Sequence, residues 1–515
     1  MLIEEKGRFI TELNRKIDGL NTISLDVRLS TLLIIVVVGV FYISTIRSGH
    51  YWGDDFSLYI SHARNIVEGR PYADTGYIYN PHNVIAPRAY PPVYPLLIAP
   101  VYKLWGLNLT AMKVEIILIF LLALFVIYLT FQSELQWPYL PALIALIGFN
   151  PQFWLFKDNV ISDLPFLLFI YLSFYLIHEA YQQAYRPNRT LVFKIIYALS
   201  ISVSIFLASG TRSIGLVLIP CLLVYHFVRS KRAGLFGLSI ILLTVAFIFV
   251  QAKSSNFISA YVDHFRFNNM NIVVSRAHEM AEHLAGFWTN GSNKVTPLAL
   301  LVILTVMAVA GYLARIWKKQ LACFDLFVPL YLAPFIVLPV RLESRYMVPI
   351  IPLWLFYTFL GIQTISRLRT TQRQVVEKVA FSGLLLALLV SYSYQYATMD
   401  YGPIQKGIAK NETQQLFDYV KREVGEKEVV VFCRPKALSL FSGRSSAIWH
   451  APAEDEELWK FFRQINASYL IVGPEELDPY YQQYIRKFVE KHHDRFQETF
   501  ANADFRVYRI VRVTS

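Results

Sequence analysis

Two adjacent carboxylates, Asp54 and Asp55, open the stretch GDDFSLYISHARNIVEG (53–69). A carboxylate can accept a proton from a hydroxyl as that oxygen becomes a nucleophile. The residues after them read as a helix. Phe56, Tyr59, Ile60, Ala63 and Val67 recur at three- and four-residue spacing and share one face. An Asp also caps a helix and suits its positive end. One cap needs one carboxylate, which leaves the other for chemistry. The stretch sits in a polar interval, 47–110, between the first two apolar segments. There, a helix with one apolar face is expected to lie flat on a membrane surface. Its acids would then stand at the lipid–water boundary, where a catalyst joining a lipid-borne to a water-borne substrate needs its base.

The elements that position these acids are mostly membrane spans. The chain has 515 residues, 55% of them hydrophobic, and a positive mean hydropathy. That is too apolar for a soluble enzyme and fits a polytopic α-helical membrane protein. Spans are expected near 30–46, 112–131, 138–155, 164–180, 193–209, 213–228, 235–251, 297–314, 322–340, 346–365 and 379–396, about eleven at about 20 residues each. The net charge of +12 could suggest nucleic acid in a soluble protein. Here the basic residues gather in short loops: Arg186, Arg189 and Lys194; Arg229, Lys231 and Arg232; Arg315, Lys318 and Lys319; Arg367, Arg369, Arg373 and Lys378. That positive-inside pattern argues against a nucleic-acid partner. It puts residues 1–29 in the cytoplasm and 47–111, 156–163, 252–296, 341–345 and 397–515 outside. No cleavable signal peptide is evident. Cys221, Cys323 and Cys433 show no staple or metal-ligand spacing. A divalent cation is compatible with the acids but not required by them.

Four basic residues break the charge rule: Lys157, Arg212, Arg341 and Arg345 fall at the outer boundary. Cations there ask for an anion, and the planar fork of Arg suits phosphate. Snorkelling toward lipid headgroups is the plain alternative. Asp163, in KDNVISDLPF (157–166), tops a span where a free carboxylate is costly. It could orient an acceptor, hold a cation, pair with Arg212 or Lys157, or cap the helix. Asp158 is a weaker candidate. In RAYPPVYPLLIAPVYKLWG (88–106), Pro91, Pro92, Pro95 and Pro100 argue against one continuous helix. A stiff wall carrying Tyr90 and Tyr94 is expected, with rings suited to sugar stacking or to headgroup contact.

From about residue 400 the hydropathy drops. Leu416, Phe417, Val420 and Val424 mark one amphipathic helix, and Leu458, Phe461, Phe462 and Ile465 another. Strand-like runs lie at 429–433, 445–449, 469–473 and 505–511. This predicts a small α/β domain with a largely parallel sheet. No Gly-rich phosphate loop supports a nucleotide site.

The acid pair, the Tyr and Ala-Arg of the following helix, the PPVYPLL box and RYMVPIIP (345–352) together resemble the GT-C superfamily. The likeness is to its branch of protein O-mannosyltransferases and the lipid A aminoarabinose transferase. It covers roughly residues 30–365. In that branch the key Asp stands four residues before the Tyr and nine before the Arg; from Tyr59 and Arg64 that is Asp55. The family often has Glu next, where this chain has Phe56, and Asp54 is a candidate second acid. The resemblance implies transfer of one sugar from a polyprenyl-phosphate donor to a glycan, lipid or protein hydroxyl outside the cytoplasm, in a cell membrane, expected to be bacterial. It implies inversion, with Asp55 or Asp54 as base. Asp163, Tyr59, Arg64, Tyr90, Tyr94, Lys157, Arg212, Arg341, Arg345 and Tyr346 would bind substrates. A transporter or lipid flippase is the rival of another class, but most span centres carry no charge and no internal repeat is visible. A non-catalytic protein that binds lipid-linked sugar is the third reading.

Overall fold

The computed structural model describes residues 26–83, 87–184, 191–230, 271–288, 295–337, 342–367, 372–452 and 454–511, with a few positions between 240 and 249. Among them, six helices are long and apolar enough to cross a membrane by length and composition. They are Asp26–Ser44, Leu109–Phe131, Asp163–Gln182, Lys194–Thr211, Leu298–Trp317 and Arg373–Thr398. Shorter apolar helices cover Tyr139–Gly148, Ser213–Arg229, Cys323–Ile336 and Ile351–Ser366. Each matches an expected span, and most of the span expected at 235–251 lies outside the described residues. The span expected at 138–155 is broken. Its first helix stops at Gly148, and Asn150 caps a second, Pro151–Phe156, by accepting from the Gln152 N–H. Large apolar side chains stay exposed along these helices, as lipid-facing surface would: Leu33 at 64%, Leu386 at 63% and Val379 at 66%. Helices Val295–Trp317 and Ile351–Ser366 meet through Gly311 and Gly361. A Cβ on either would run into the backbone of the other helix, so this close approach requires glycine.

The C-terminal region carries a six-stranded sheet. Its strands are β1 (Tyr77–Ile78), β2 (Val429–Val431), β3 (Ser445–Ala447), β4 (Ala467–Val472), β5 (Phe496–Ala501) and β6 (Arg506–Ile510), in the order β1-β3-β2-β4-β6-β5. The four strand-like runs of the sequence become β2, β3, β4 and β6. The sheet is mixed rather than largely parallel. β1, β3, β2 and β4 pair in parallel, while β6 and β5 form an antiparallel hairpin beside β4. The two expected amphipathic helices are Asn411–Glu423 and Asp455–Gln464.

β1 is not a C-terminal strand at all: it belongs to the polar interval after the first span. Beyond it, the Asn80 side chain donates to Ile448 O at 2.9 Å and the Asn83 side chain to Trp449 O at 2.6 Å. The first loop is therefore stitched to the C-terminal sheet by backbone and side chain together.

This stitching corrects the expected setting of the Asp55–Glu68 helix. It is not laid on a surface by one apolar face, because its polar residues Ser57, Ser61, His62 and Asn65 are buried along with its apolar ones. It is packed between the Val93–Trp105 helix and the Pro435–Ser442 helix of the C-terminal domain. Asn65 donates to the carbonyls of Pro71 and Asp74. The proline box is also more helical than expected. The helix runs Val93–Trp105 through Pro95 and Pro100, and only Pro91 and Pro92 stay outside it. Pro95 stands in the first turn, where no N–H partner is needed.

Candidate active site

Asp55 is the first residue of its helix, and three side chains from three other parts of the chain converge on it. Arg345 Nη1 donates to Oδ2 at 2.8 Å, Tyr90 OH donates to Oδ1 at 2.6 Å, and Lys436 Nζ donates to Oδ1 at 3.2 Å. Arg345 comes from the short Ser344–Met347 turn before a membrane helix. Tyr90 comes from the segment leading into the proline box, and Lys436 from the C-terminal domain. Burial pushes the Asp55 carboxyl up. Lys436, Arg345 and the hydrogen bond from Tyr90 outweigh it and hold the group well below the usual carboxylate range. The side chain remains 18% exposed, so a ligand can reach a carboxylate that stays ionised.

Asp54 does not cap its own helix, which lacks a side-chain cap bond. Its Oδ1 accepts instead from the Ala437 N–H at 3.0 Å. Ala437 is the third residue of the Pro435–Ser442 helix, whose own N-cap residue, Arg434, offers no side-chain cap bond. Asp54 thus serves the C-terminal helix in trans, filling the place of an N-cap side chain. Its Oδ2 has no hydrogen-bond partner and lies 3.6 Å from Lys436 Nζ. Here burial prevails over Lys436 and the Ala437 N–H, and the carboxyl stands above its ordinary value.

Asp163 and Arg212 pair directly, joining the start of the Asp163–Ala184 helix to the residue just after the Leu191–Thr211 helix that follows it. Oδ2 of Asp163 is buried without a hydrogen-bond partner. Tyr59 links this pair to Asp55. Its hydroxyl shares a 2.9 Å hydrogen bond with Ser162 Oγ, and its ring stacks on Tyr90 at 4.5 Å and meets Tyr94 edge-on at 4.9 Å. Tyr346 stacks on Phe335 and lies beside both Arg212 and Arg345, at 5.0 and 5.6 Å. Asp55, Asp54, Tyr59, Tyr90, Tyr94, Asp163, Arg212, Arg345 and Tyr346 are therefore brought into one connected region.

Lys157 and Arg64 are not drawn into it. Lys157 Nζ pairs with Asp158 Oδ2 at 2.6 Å and lies 3.9 Å from the centre of the Trp154 ring. Arg47 and Lys113 complete that buried cluster. Arg64 lies near Tyr102, with its Nε buried and unpartnered. Arg341 falls outside the described residues. Among the described residues, no group of three or more His, Cys, Asp or Glu side chains is placed to hold a metal ion. Lys436 is the residue that reading the sequence missed. Pro435 before it marks a helix start, but nothing local marks the lysine itself.

By sequence the chain matches no family model and no curated protein. By fold it is similar to ArnT from Cupriavidus metallidurans, solved bound to undecaprenyl phosphate. That match has a TM-score of 0.55 at 11% identity and covers 93% of this chain and 97% of that one. It is similar also to the oligosaccharyltransferase AglB from Archaeoglobus fulgidus, solved in complex with an inhibitory peptide and a dolichol-phosphate. There the TM-score is 0.57 at 11% identity, over 86% of this chain and 69% of that one. The Archaeoglobus fulgidus oligosaccharyltransferase in complex with Zn and sulfate matches at 0.56 and 13%, over 86% and 68%. At such identities the likeness is one of fold, and the chain has the GT-C fold, a multi-helix membrane body with a small C-terminal α/β domain.

Proposed function

We propose that the chain is a membrane glycosyltransferase that moves one sugar from a polyprenyl-phosphate donor to an acceptor hydroxyl outside the cytoplasm, inverting the anomeric carbon. The observation that carries this reading is Asp55. It is an ionised, partly exposed carboxylate bound by an arginine suited to phosphate. It sits in a fold shared with proteins solved with undecaprenyl phosphate and dolichol-phosphate. The acceptor oxygen bonds to the anomeric carbon as the bond from that carbon to the phosphate oxygen breaks. The acceptor proton passes to Asp55, and the bonding electrons leave with the phosphate. A phosphate needs positive charge rather than a strong acid, and Arg345 and Arg212 supply it. Arg341, four residues before Arg345 in the sequence, is assigned to the donor with it.

This geometry supports a route by which a carboxylate of low basicity acts as base. Arg345 and Lys436 share its charge. A donor phosphate draws Arg345 away, and the basicity of Asp55 rises as the substrate arrives. Tyr90 and Tyr59 give the sugar an aromatic wall. Lys157 is left out of the donor site because its ammonium already pairs with Asp158.

Asp55→Asn keeps the size of the side chain and cannot take a proton as a carboxylate does. We expect it to fold and bind undecaprenyl phosphate, and to lose at least about 100-fold in sugar transfer. Asp54→Asn should lose less. The assay follows undecaprenyl phosphate released from lipid-linked sugars by purified protein in nanodiscs. Normal turnover in Asp55→Asn would reject Asp55 as base.

A further inference from the structure

Lys436 is an unusual residue for the domain that carries it. Its ammonium is directed out of the C-terminal fold and into the first loop, with the side chain only 1% exposed. A buried ammonium is costly unless it is paired, and this one is paired by Asp55 at 3.2 Å and Asp54 at 3.6 Å. The rings of Tyr77 and Tyr90 flank it at 5.9 and 5.7 Å. All four of these groups belong to residues 54–90.

Its backbone is fixed from both sides. Arg434 donates to Leu477 O at 2.7 Å, which holds the helix start to its own domain. The Ala437 N–H donates to Asp54, which holds the same turn to the first loop. Gly443 ends the helix in a left-handed conformation, and β3 follows directly, paired with β1 of the loop. Every element around Lys436 therefore sets its distance to the aspartates.

Accepting the base assignment above, we propose that Lys436 is a positioning residue of the transfer site. It holds Asp55 ionised and oriented when Arg345 turns to the donor phosphate, so that transfer requires the C-terminal domain to be docked. The ion pairs support the division of labour. Asp55 holds two cations, Arg345 and Lys436; Arg345 also pairs with Glu343, Lys436 also faces Asp54, and Arg212 pairs with Asp163. An incoming phosphate competes for Arg345, and Lys436 is then the only cation left on Asp55 among the described residues.

The test uses the full chain in nanodiscs, with Lys436→Met, Lys436→Arg and Asp55→Asn. Turnover is read as undecaprenyl phosphate released from lipid-linked sugars over a range of pH. Hydrogen exchange at 77–78 and 445–447 reports whether the domain stays docked. Without the cation, Asp55 takes up its proton at higher pH. Lys436→Met should therefore move the acid limb of the kcat profile upward by a pH unit or more and lower kcat about tenfold, with the donor KM little changed. Lys436→Arg should restore most of both. If Lys436→Met keeps the wild-type limb while Asp55→Asn is inactive, the positioning role falls and the base assignment stands. If Lys436→Met loses exchange protection and kcat together without moving the limb, the lysine is only a structural contact and the proposal fails. If Asp55→Asn is active, the base assignment fails, and this inference falls with it.

Discussion

Arg345 divides one guanidinium between two acids, donating to Asp55 at 2.8 Å and pairing with Glu343 at 2.6 Å. An arginine can do this because its donors form a planar fork, whereas an ammonium is a point charge. Arg345→Ala should lower donor use about 100-fold, the scale of about one to two charge-assisted hydrogen bonds. Arg345→Lys should lose about tenfold, since the charge stays and the fork is lost. Unchanged turnover of lipid-linked sugar in Arg345→Ala would remove the residue from the mechanism. At this scale the sequence was informative where a residue sits in a motif or breaks a charge rule. Asp55 had its register to Tyr59 and Arg64, and Arg345 stood on the wrong side of a span. Lys436 had neither signal, because the partner that gives it meaning lies 381 residues away. One of the two aspartates is expected to cap the Asp55–Glu68 helix; that helix has no side-chain cap bond, and Asp54 serves a helix of the C-terminal domain instead.

Elements show the same division between local and distant causes. The expected spans follow from long apolar runs, and β2, β3, β4 and β6 from short β-branched or aromatic ones. β1 is two residues long, and only its pairing with Ser446 and Ala447 makes it a strand. β5 carries a weak pattern, FQETFA, with one buried residue, Phe496. The Pro479–Lys491 helix did carry a readable stripe in Gln482, Ile485, Phe488 and Val489, all buried. The trans cap makes a claim about elements that can be checked. Asp54→Ala leaves the Ala437 N–H without its acceptor and should weaken docking of the Pro435–Ser442 helix by about 1–2 kcal/mol. Asp54→Asn, which still accepts a hydrogen bond, should weaken it less. Hydrogen exchange at 435–442 and 77–78 reads both. Wild-type protection in Asp54→Ala would show that the cap does not hold the domain.

The loop charges predict a sidedness for the whole molecule. Cysteines placed at Glu426, exposed on the C-terminal domain, and at Lys318, exposed after a membrane helix, test it. The native thiols Cys221, Cys323 and Cys433 are all buried. In intact cells a membrane-impermeant reagent should label Glu426→Cys and reach Lys318→Cys only after permeabilisation. The opposite pattern would place Asp55 and the C-terminal domain in the cytoplasm and overturn the proposed reaction.

The pairing of Asp54 and Asp55 with Lys436 also orders events in time. Ribosomes add about 5–20 residues per second, so the 381 residues from Asp55 to Lys436 take about 20 to 80 s to make at that pace. During that interval the spans are threaded into the bilayer while the acid pair waits without its lysine and β1 without its partner strand. A nascent chain already has its aspartates and, later, Arg345, yet it lacks the domain that completes the loop around them. Assembly of the proposed site is thus deferred until the membrane body has been built, and an insertion intermediate holds that site unfinished. A chain cut short before Pro435 would remain in that state.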